Sequence, residues 1–183
     1  MIHFWMNWRW IMNSRCIYYV EGECEKQLIN ALKASPEMLI PGKVKVYNVK
    51  QDLIPKSQLL TIQPKTKVAL VFDTDVEDRK ALDKNIELLG KYCSNVIVIN
   101  MMQVLNFEDE IVKSTDVSKA QDLTRSRSVS NFKSDFCRMK VQECRSLLER
   151  HQFDVEKIWV SDPPSAFKDL EQGATRIISV TTK

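Results

Sequence analysis

Two short acidic clusters carry the side chains best suited to chemistry. Glu21-Gly22-Glu23-Cys24-Glu25 follows the β-rich run Arg15-Cys-Ile-Tyr-Tyr-Val20, and Asp73-Thr74-Asp75 follows the apolar run Val68-Ala-Leu-Val-Phe72. Residues two apart at a strand end point the same way, so Asp73 and Asp75 can converge on one ion. Hard cations such as Mg²⁺ or Mn²⁺ are held by one or two carboxylates together with phosphates and water. Glu21 with Asp73 and Asp75, from adjacent strands, makes such a site, and Glu25 in the first helical turn adds a further oxygen ligand. Crowding carboxylates at one edge is electrostatically costly without a cation. Taken singly the acids have plainer readings. Glu23 and Glu25 suit the positive end of a helix, and Asp75 and Asp78 suit helix capping.

The elements that must position these acids follow from hydrophobic patterning. Val68–Phe72 and Val96–Ile99 are continuous apolar runs, as expected of strands covered on both faces. Val44–Val49 alternates like a half-exposed strand, and Ile158–Val160 and Ile177–Val180 complete the strand candidates. Helical spacing is expected after Glu21 to about Lys33, over 78–92, and over 130–152, where Phe132, Phe136, Met139, Val141, Cys144, Leu147 and Leu148 give one apolar face. Gly22 is read as permitting the sharp turn out of the first strand. Strands alternating with helices predict an α/β fold, a three-layer, mostly parallel sheet flanked by helices with a C-terminal helical extension. In such sheets ligands bind outside the carboxyl ends of the strands, where both acidic clusters fall.

Residues 15–183 are read as one domain. Residues 1–14, which hold three of the four tryptophans, are expected to form a leader, with Met1 and Met12 as the two candidate starts. Apolar residues make up 44% of the 183 and charged residues 28%, enough to build a core. No apolar run approaches the ~18 residues of a membrane span. No glycine-rich loop supports ATP or NAD binding. The five cysteines form no C-x-x-C pair and only two histidines accompany them, which disfavours zinc and places the chain in a reducing, cytoplasmic compartment. The net charge of +3 arises entirely in residues 111–183, with 13 basic and 10 acidic side chains, since residues 1–110 hold 14 of each. A basic loop, Arg125-Ser-Arg-Ser-Val-Ser130, ends at a serine N-cap. Arg125, Arg127, Lys133 and Arg138 are the candidates for contact with a polyanion such as DNA or RNA. A solvated basic helix face is the plainer alternative.

An apolar strand ending in Glu-Gly, an acid a few residues on, and a later apolar strand ending in Asp-x-Asp resemble the Toprim domain of topoisomerases, primases, small ribonucleases and overcoming-lysogenization-defect nucleases. The likeness covers residues 15–34 and 66–100. It implies acid/base or metal chemistry at Glu21, Mg²⁺ coordination by Asp73 and Asp75, and a second acid at Glu25 as in the nuclease branch. The topoisomerase and primase pattern continues to a third aspartate and a glycine, where this chain has Glu77 and Asp78. The 183 residues also leave no room for the extra domains with which those enzymes hold DNA, so the small standalone or defence-associated nucleases are expected to match better. The expected activity is metal-dependent phosphodiester hydrolysis, with any ATPase partner on a separate chain and homo-oligomerisation left open. Lys133 is the candidate to stabilise charge developing on phosphate. Asn106-Phe-Glu-Asp-Glu110 opens a further helix, which places Glu108 or Glu110 near the same edge as an extra ligand or base, or as plain surface charge.

Two other readings compete. Asp73-x-Asp75 after an apolar strand also resembles haloacid-dehalogenase-like phosphatases, with Asp73 as nucleophile, although a strand–helix unit precedes it here and Ser161-Asp162 is a poor later motif. Alternatively the chain is a non-catalytic regulatory module that acts with a partner chain.

Overall fold

The apolar runs assemble into a four-stranded, all-parallel sheet of order β2-β1-β3-β4, with β1 Cys16–Val20, β2 Lys43–Val46, β3 Lys67–Asp73 and β4 Ile97–Gln103. The computed structural model describes residues 15–35 and 37–178, so the expected leader lies outside the described residues. Helix α1 spans Glu23–Lys33, α2 Lys56–Leu59, α3 Lys80–Tyr92, α4 Phe107–Ser114, α5 Ala120–Thr124, α6 Val129–Arg138 and α7 Val141–Arg150. Two 3-10 turns, Ser165–Phe167 and Ala174–Arg176, follow.

Alternation along the strands sends side chains to two separate cores. Tyr18, Val20, Ala69, Val71, Ile99 and Met101 pack with α1 and the α4–α7 helices. Tyr19, Val68, Leu70, Phe72 and Met102 pack with Leu59 of α2 and Leu82 and Leu89 of α3. Both faces of the sheet are therefore covered, which is why β3 reads as an unbroken apolar run. Each fully buried Leu or Val there contributes ~1.5–3 kcal/mol.

The chain runs from β1 through α1 outward to β2, then returns to β3 and runs through α3 the other way to β4. Right-handed crossovers in opposite directions put α1 and α3 on opposite faces. The direction reverses between β1 and β3, and a crevice opens outside their carboxyl ends. Among the described residues no helix is long and apolar enough to cross a membrane.

Three expectations are corrected. The single helix over 130–152 is two helices, because Met139 is extended (φ −63°, ψ 147°) and its carbonyl accepts from Gln27 Nε2 at 2.8 Å. The Glu143 carboxylate accepts from Lys140 N–H at 3.0 Å and restarts the helix. Phe136 and Cys144 lie eight residues apart, close to two helical turns, so the apolar period continues across the break. Ile158–Val160 is not a strand: Ile158 and Trp159 lie in a buried turn and Val160 is exposed. Trp159 has φ 55°, and its N–H donates to the Glu110 carboxylate at 2.7 Å, not to a neighbouring strand. Ile177 ends a 3-10 turn and Ile178 makes only an isolated antiparallel bridge to Leu39, while residues 179–183 lie outside the described residues.

The loop after β2 is fixed by Asn85, which is fully buried on α3. Its Nδ2 donates to Val49 and Asp52 carbonyls at 2.9 and 2.8 Å, and its Oδ1 accepts from Ile54 N–H at 2.8 Å. Asn85→Ala strands these backbone groups and is expected to cost ~3 kcal/mol, read as a lowered denaturation midpoint. An unchanged midpoint would contradict this role.

Candidate functional site at the carboxyl edge of β1 and β3

In-register pairing of β1 with β3 brings their carboxyl ends side by side, with Val20 opposite Val71. Glu21 and Asp73 therefore flank the crevice, as adjacent strands require. An open cleft of about 580 Å³ lies there, lined by Glu21, Asn48, Lys50, Asp73, Asp75 and Lys80 among others. The neighbouring strand contributes nothing acidic. Gln103 is the β4 partner of Asp73 and is fully buried, with both side-chain polar atoms unpartnered.

The Asp-Thr-Asp segment is held from both sides. Thr74 turns inward and is buried. Its Oγ1 donates to the Gln103 carbonyl at 3.1 Å and accepts from Leu105 N–H at 3.1 Å, while its own N–H reaches the Gln103 and Leu105 carbonyls. This grip holds Leu105 in the left-handed region (φ 72°), at a cost on the order of 1 kcal/mol for a non-glycine residue. From the other side Lys50 Nζ donates to the carbonyls of Asp73 at 2.7 Å and Val76 at 2.8 Å. Asn48 Oδ1 in turn accepts from the backbone N–H groups of Lys50 and Gln51. With Thr74 tied inward, Asp73 and Asp75 stand on either side of it at the edge.

Electrostatics single out Asp73. Burial pushes its carboxyl up to about 8, and Glu21, Glu25, Asp75 and Glu108 push the same way in that order. Its Oδ1 is buried and has no hydrogen-bond partner. Burial likewise pushes Glu21 up to about 7, with Lys50 pulling down and Glu25 and Asp75 pushing up. Glu25 is also raised by burial, against the opposing pull of its backbone hydrogen bonds and Lys133. It is a buried residue in the first turn of α1, unlike Glu23, which is exposed and pairs with Lys26 as a helix-end acid does. The backbone of Gly22 is extended (φ −145°), a conformation open to any residue, so the expected conformational role is corrected. Glycine matters there for space, because a Cβ would stand 3.1 Å from Glu25 Oε2.

Lys133 reaches this edge from α6, and its Nζ lies 2.6 Å from Glu108 Oε1. Burial lowers its pKa, but the Glu108 carboxylate outweighs that and holds it above its ordinary value. The helix expected after Asn106 is α4, capped by the Asn106 side chain. Glu108 faces the carboxylates, whereas Glu110 is neither a ligand nor surface charge. It is fully buried and accepts from Val104 and Trp159 N–H groups, tying α4 to the turn that replaces the expected strand. Asp78 accepts from Lys80 N–H at the start of α3, as a capping residue does, and Asp75 is exposed. Arg125, Arg127 and Arg138 are exposed, and none forms an ion pair among the described residues. Arg138 lies five residues beyond Lys133, roughly 140° around the same helix, so it does not share that side chain's face.

Among the described residues no three His, Cys, Asp or Glu side chains are gathered around a common point. The donor set is nonetheless one that suits a hard cation, because it is all carboxylate oxygen. The unpartnered Asp73 Oδ1 is a buried acceptor that such an ion would satisfy. Rotation of side chains at the open cleft is what convergence would require.

Lys50 and Thr74 are the site residues that sequence reasoning missed. The only trace of Thr74 was a hydroxyl residue between two aspartates, and Lys50 had no signal beyond following a strand.

The fold and site define a doubly wound parallel α/β protein with an acidic crevice at its topological switch point. Comparison with protein-family models, with curated proteins and with solved structures found no match to this chain.

Proposed function

We propose that this chain is a Toprim-like nuclease that hydrolyses phosphodiester bonds of DNA or RNA with Mg²⁺ or Mn²⁺. The observation that carries the proposal is the buried, unpartnered Asp73 Oδ1 at the β1–β3 crevice, with Glu21, Glu25 and Asp75 close enough to raise its pKa. A divalent cation bound by Asp73, Asp75 and Glu21, with Glu25 as a further ligand, supplies Lewis-acid polarisation of the phosphate and a more acidic water. Burial pushes Glu21 up to about 7 only while no ion is bound; a bound cation would favour its ionised form, as a ligand or as the base that the resemblance implies. Lys133 offers a cation on the α6 side of the carboxylates, where it can stabilise charge on phosphate oxygens. Lys50 positions the aspartates through their backbone. An ATPase on a separate chain is the partner class the resemblance implies.

Arg125 and Arg127 precede α6, whose N-terminal end itself attracts phosphate. An Arg125→Ala, Arg127→Ala double variant is expected to weaken nucleic-acid binding evenly across sequences. It should also lower the salt slope of binding by about 2, roughly one per lost phosphate contact. A salt titration with wild-type slope in the variant would contradict that role.

The proposal is tested by incubating the full chain with plasmid, single-stranded DNA and structured RNA, with and without Mg²⁺ or Mn²⁺, beside a Glu21→Gln, Asp73→Asn double variant. Metal-dependent cleavage lost in the variant is expected. Absence of cleavage by wild type on all three substrates, or equal cleavage by the variant, would overturn the proposal.

A further inference from the structure

All five cysteines are free thiols, yet two of them meet although they are 113 residues apart in sequence. Cys24 Sγ on α1 lies 2.8 Å from Cys137 Sγ on α6, well inside the van der Waals contact of two sulfurs. Among the described residues this is the one pair of sulfurs in hydrogen-bonding contact. Cys24 also donates to the Lys133 carbonyl at 3.6 Å, so it touches α6 twice. Each thiol neighbours a residue of the carboxylate edge. Cys24 precedes Glu25, and Cys137 follows Lys133 by one helical turn.

We propose that Cys24 and Cys137 are a modification site, a dithiol that closes to an intramolecular disulfide when it meets a low-molecular-weight disulfide such as oxidised glutathione. The sulfurs need approach by only about 0.8 Å to reach the ~2.05 Å of an S–S bond. Cys137 is the more exposed of the two and attacks first. Its thiolate displaces one glutathione thiolate and forms a mixed disulfide. Cys24 then attacks the Cys137 sulfur and releases the second glutathione. Two protein S–H bonds and one glutathione S–S bond are lost. One protein S–S bond and two glutathione S–H bonds are formed, and the oxidant takes up both electrons. The product staples α1 to α6 and fixes Lys133 relative to Glu25. Formation of the bond is independent of the nuclease reading, while any effect on cleavage rests on it.

The test treats folded, full-length wild type with oxidised glutathione, alkylates the remaining thiols and maps the digested peptides by mass. The expected product is a monomer with a Cys24–Cys137 cross-linked peptide and three of the five cysteines alkylated. Its denaturation midpoint should rise, reversibly with dithiothreitol, because the cross-link closes a long loop. Cys24→Ser and Cys137→Ser should each abolish the cross-link, and Cys144→Ser should not. Five alkylatable cysteines after treatment, a stable glutathione adduct alone, or pairing of Cys137 with a different cysteine would each overturn the proposal. The wild-type map decides even if a variant fails to fold.

Discussion

Asp73→Asn is expected to reduce metal-dependent cleavage by ~10³-fold or more while making the metal-free protein more stable. The first effect follows from placement. Asp73 ends β3 at the crevice, its Oδ1 has no protein partner, and Asn keeps the shape but not the charge that would hold a cation. Losing one group on which charge in the transition state depends costs factors of this size. The second effect follows from the same crowding. A buried carboxyl pushed up to about 8 among Glu21, Glu25, Asp75 and Glu108 is unfavourable when ionised. Its neutral isostere should therefore gain ~1–2 kcal/mol at pH 8. Loss of function with gain of stability is the mark of strain kept for a purpose. If Asp73 were merely structural, the substitution would lower the denaturation midpoint and leave cleavage unaltered.

The metal-free protein should also lose stability as pH rises. Asp73 moves from an ordinary 3.8 to about 8 on folding and Glu21 from 4.5 to about 7, both upward. Between those limits the folded chain retains protons that the unfolded chain has released, so each step up in pH favours unfolding. This contribution is fully favourable below about pH 4 and is lost as pH climbs through the folded values near 7 and 8. A fall of on the order of 2 kcal/mol is expected between about pH 5 and pH 8 in chelator. Excess MgCl₂ should flatten the profile, because the ion binds the ionised, folded form. Denaturant midpoints across that range, with and without the ion, measure both effects. A metal-free profile that stays level or rises would contradict the crowded-carboxylate picture.

Much of this edge was legible because its signals are local. An apolar run long enough to be covered on both faces marks β3, and the acids that follow it must sit at its carboxyl end whatever the rest of the chain does. The pairing of β1 with β3 was readable from the resemblance and from the two strand-end motifs together. What was not legible depends on distant partners. Lys50 matters only because Asn85, 35 residues on, braces the loop that carries it over β3. Glu110 looks like any acid in a first helical turn until Trp159 supplies the N–H that buries it. The break at Met139 is invisible to periodicity because Phe132, Phe136, Cys144, Leu147 and Leu148 keep a helical spacing through it. Gln27 on a different helix accepts the task of satisfying the interrupted backbone. Trp159 shows the converse, since an apolar triplet reads as a strand unless the positive φ of its middle residue is known.

The claim on which the rest depends is that the carboxylates at the β1–β3 crevice hold a divalent cation. Titrating Mn²⁺ into chelator-treated protein, with free ion read by electron paramagnetic resonance, tests it without any substrate. Saturable binding by wild type, lost in the Glu21→Gln, Asp73→Asn double variant and weaker at acid pH, where protons occupy the same oxygens, is the expected result. No saturable binding by wild type, or binding that survives both substitutions unchanged, would contradict it.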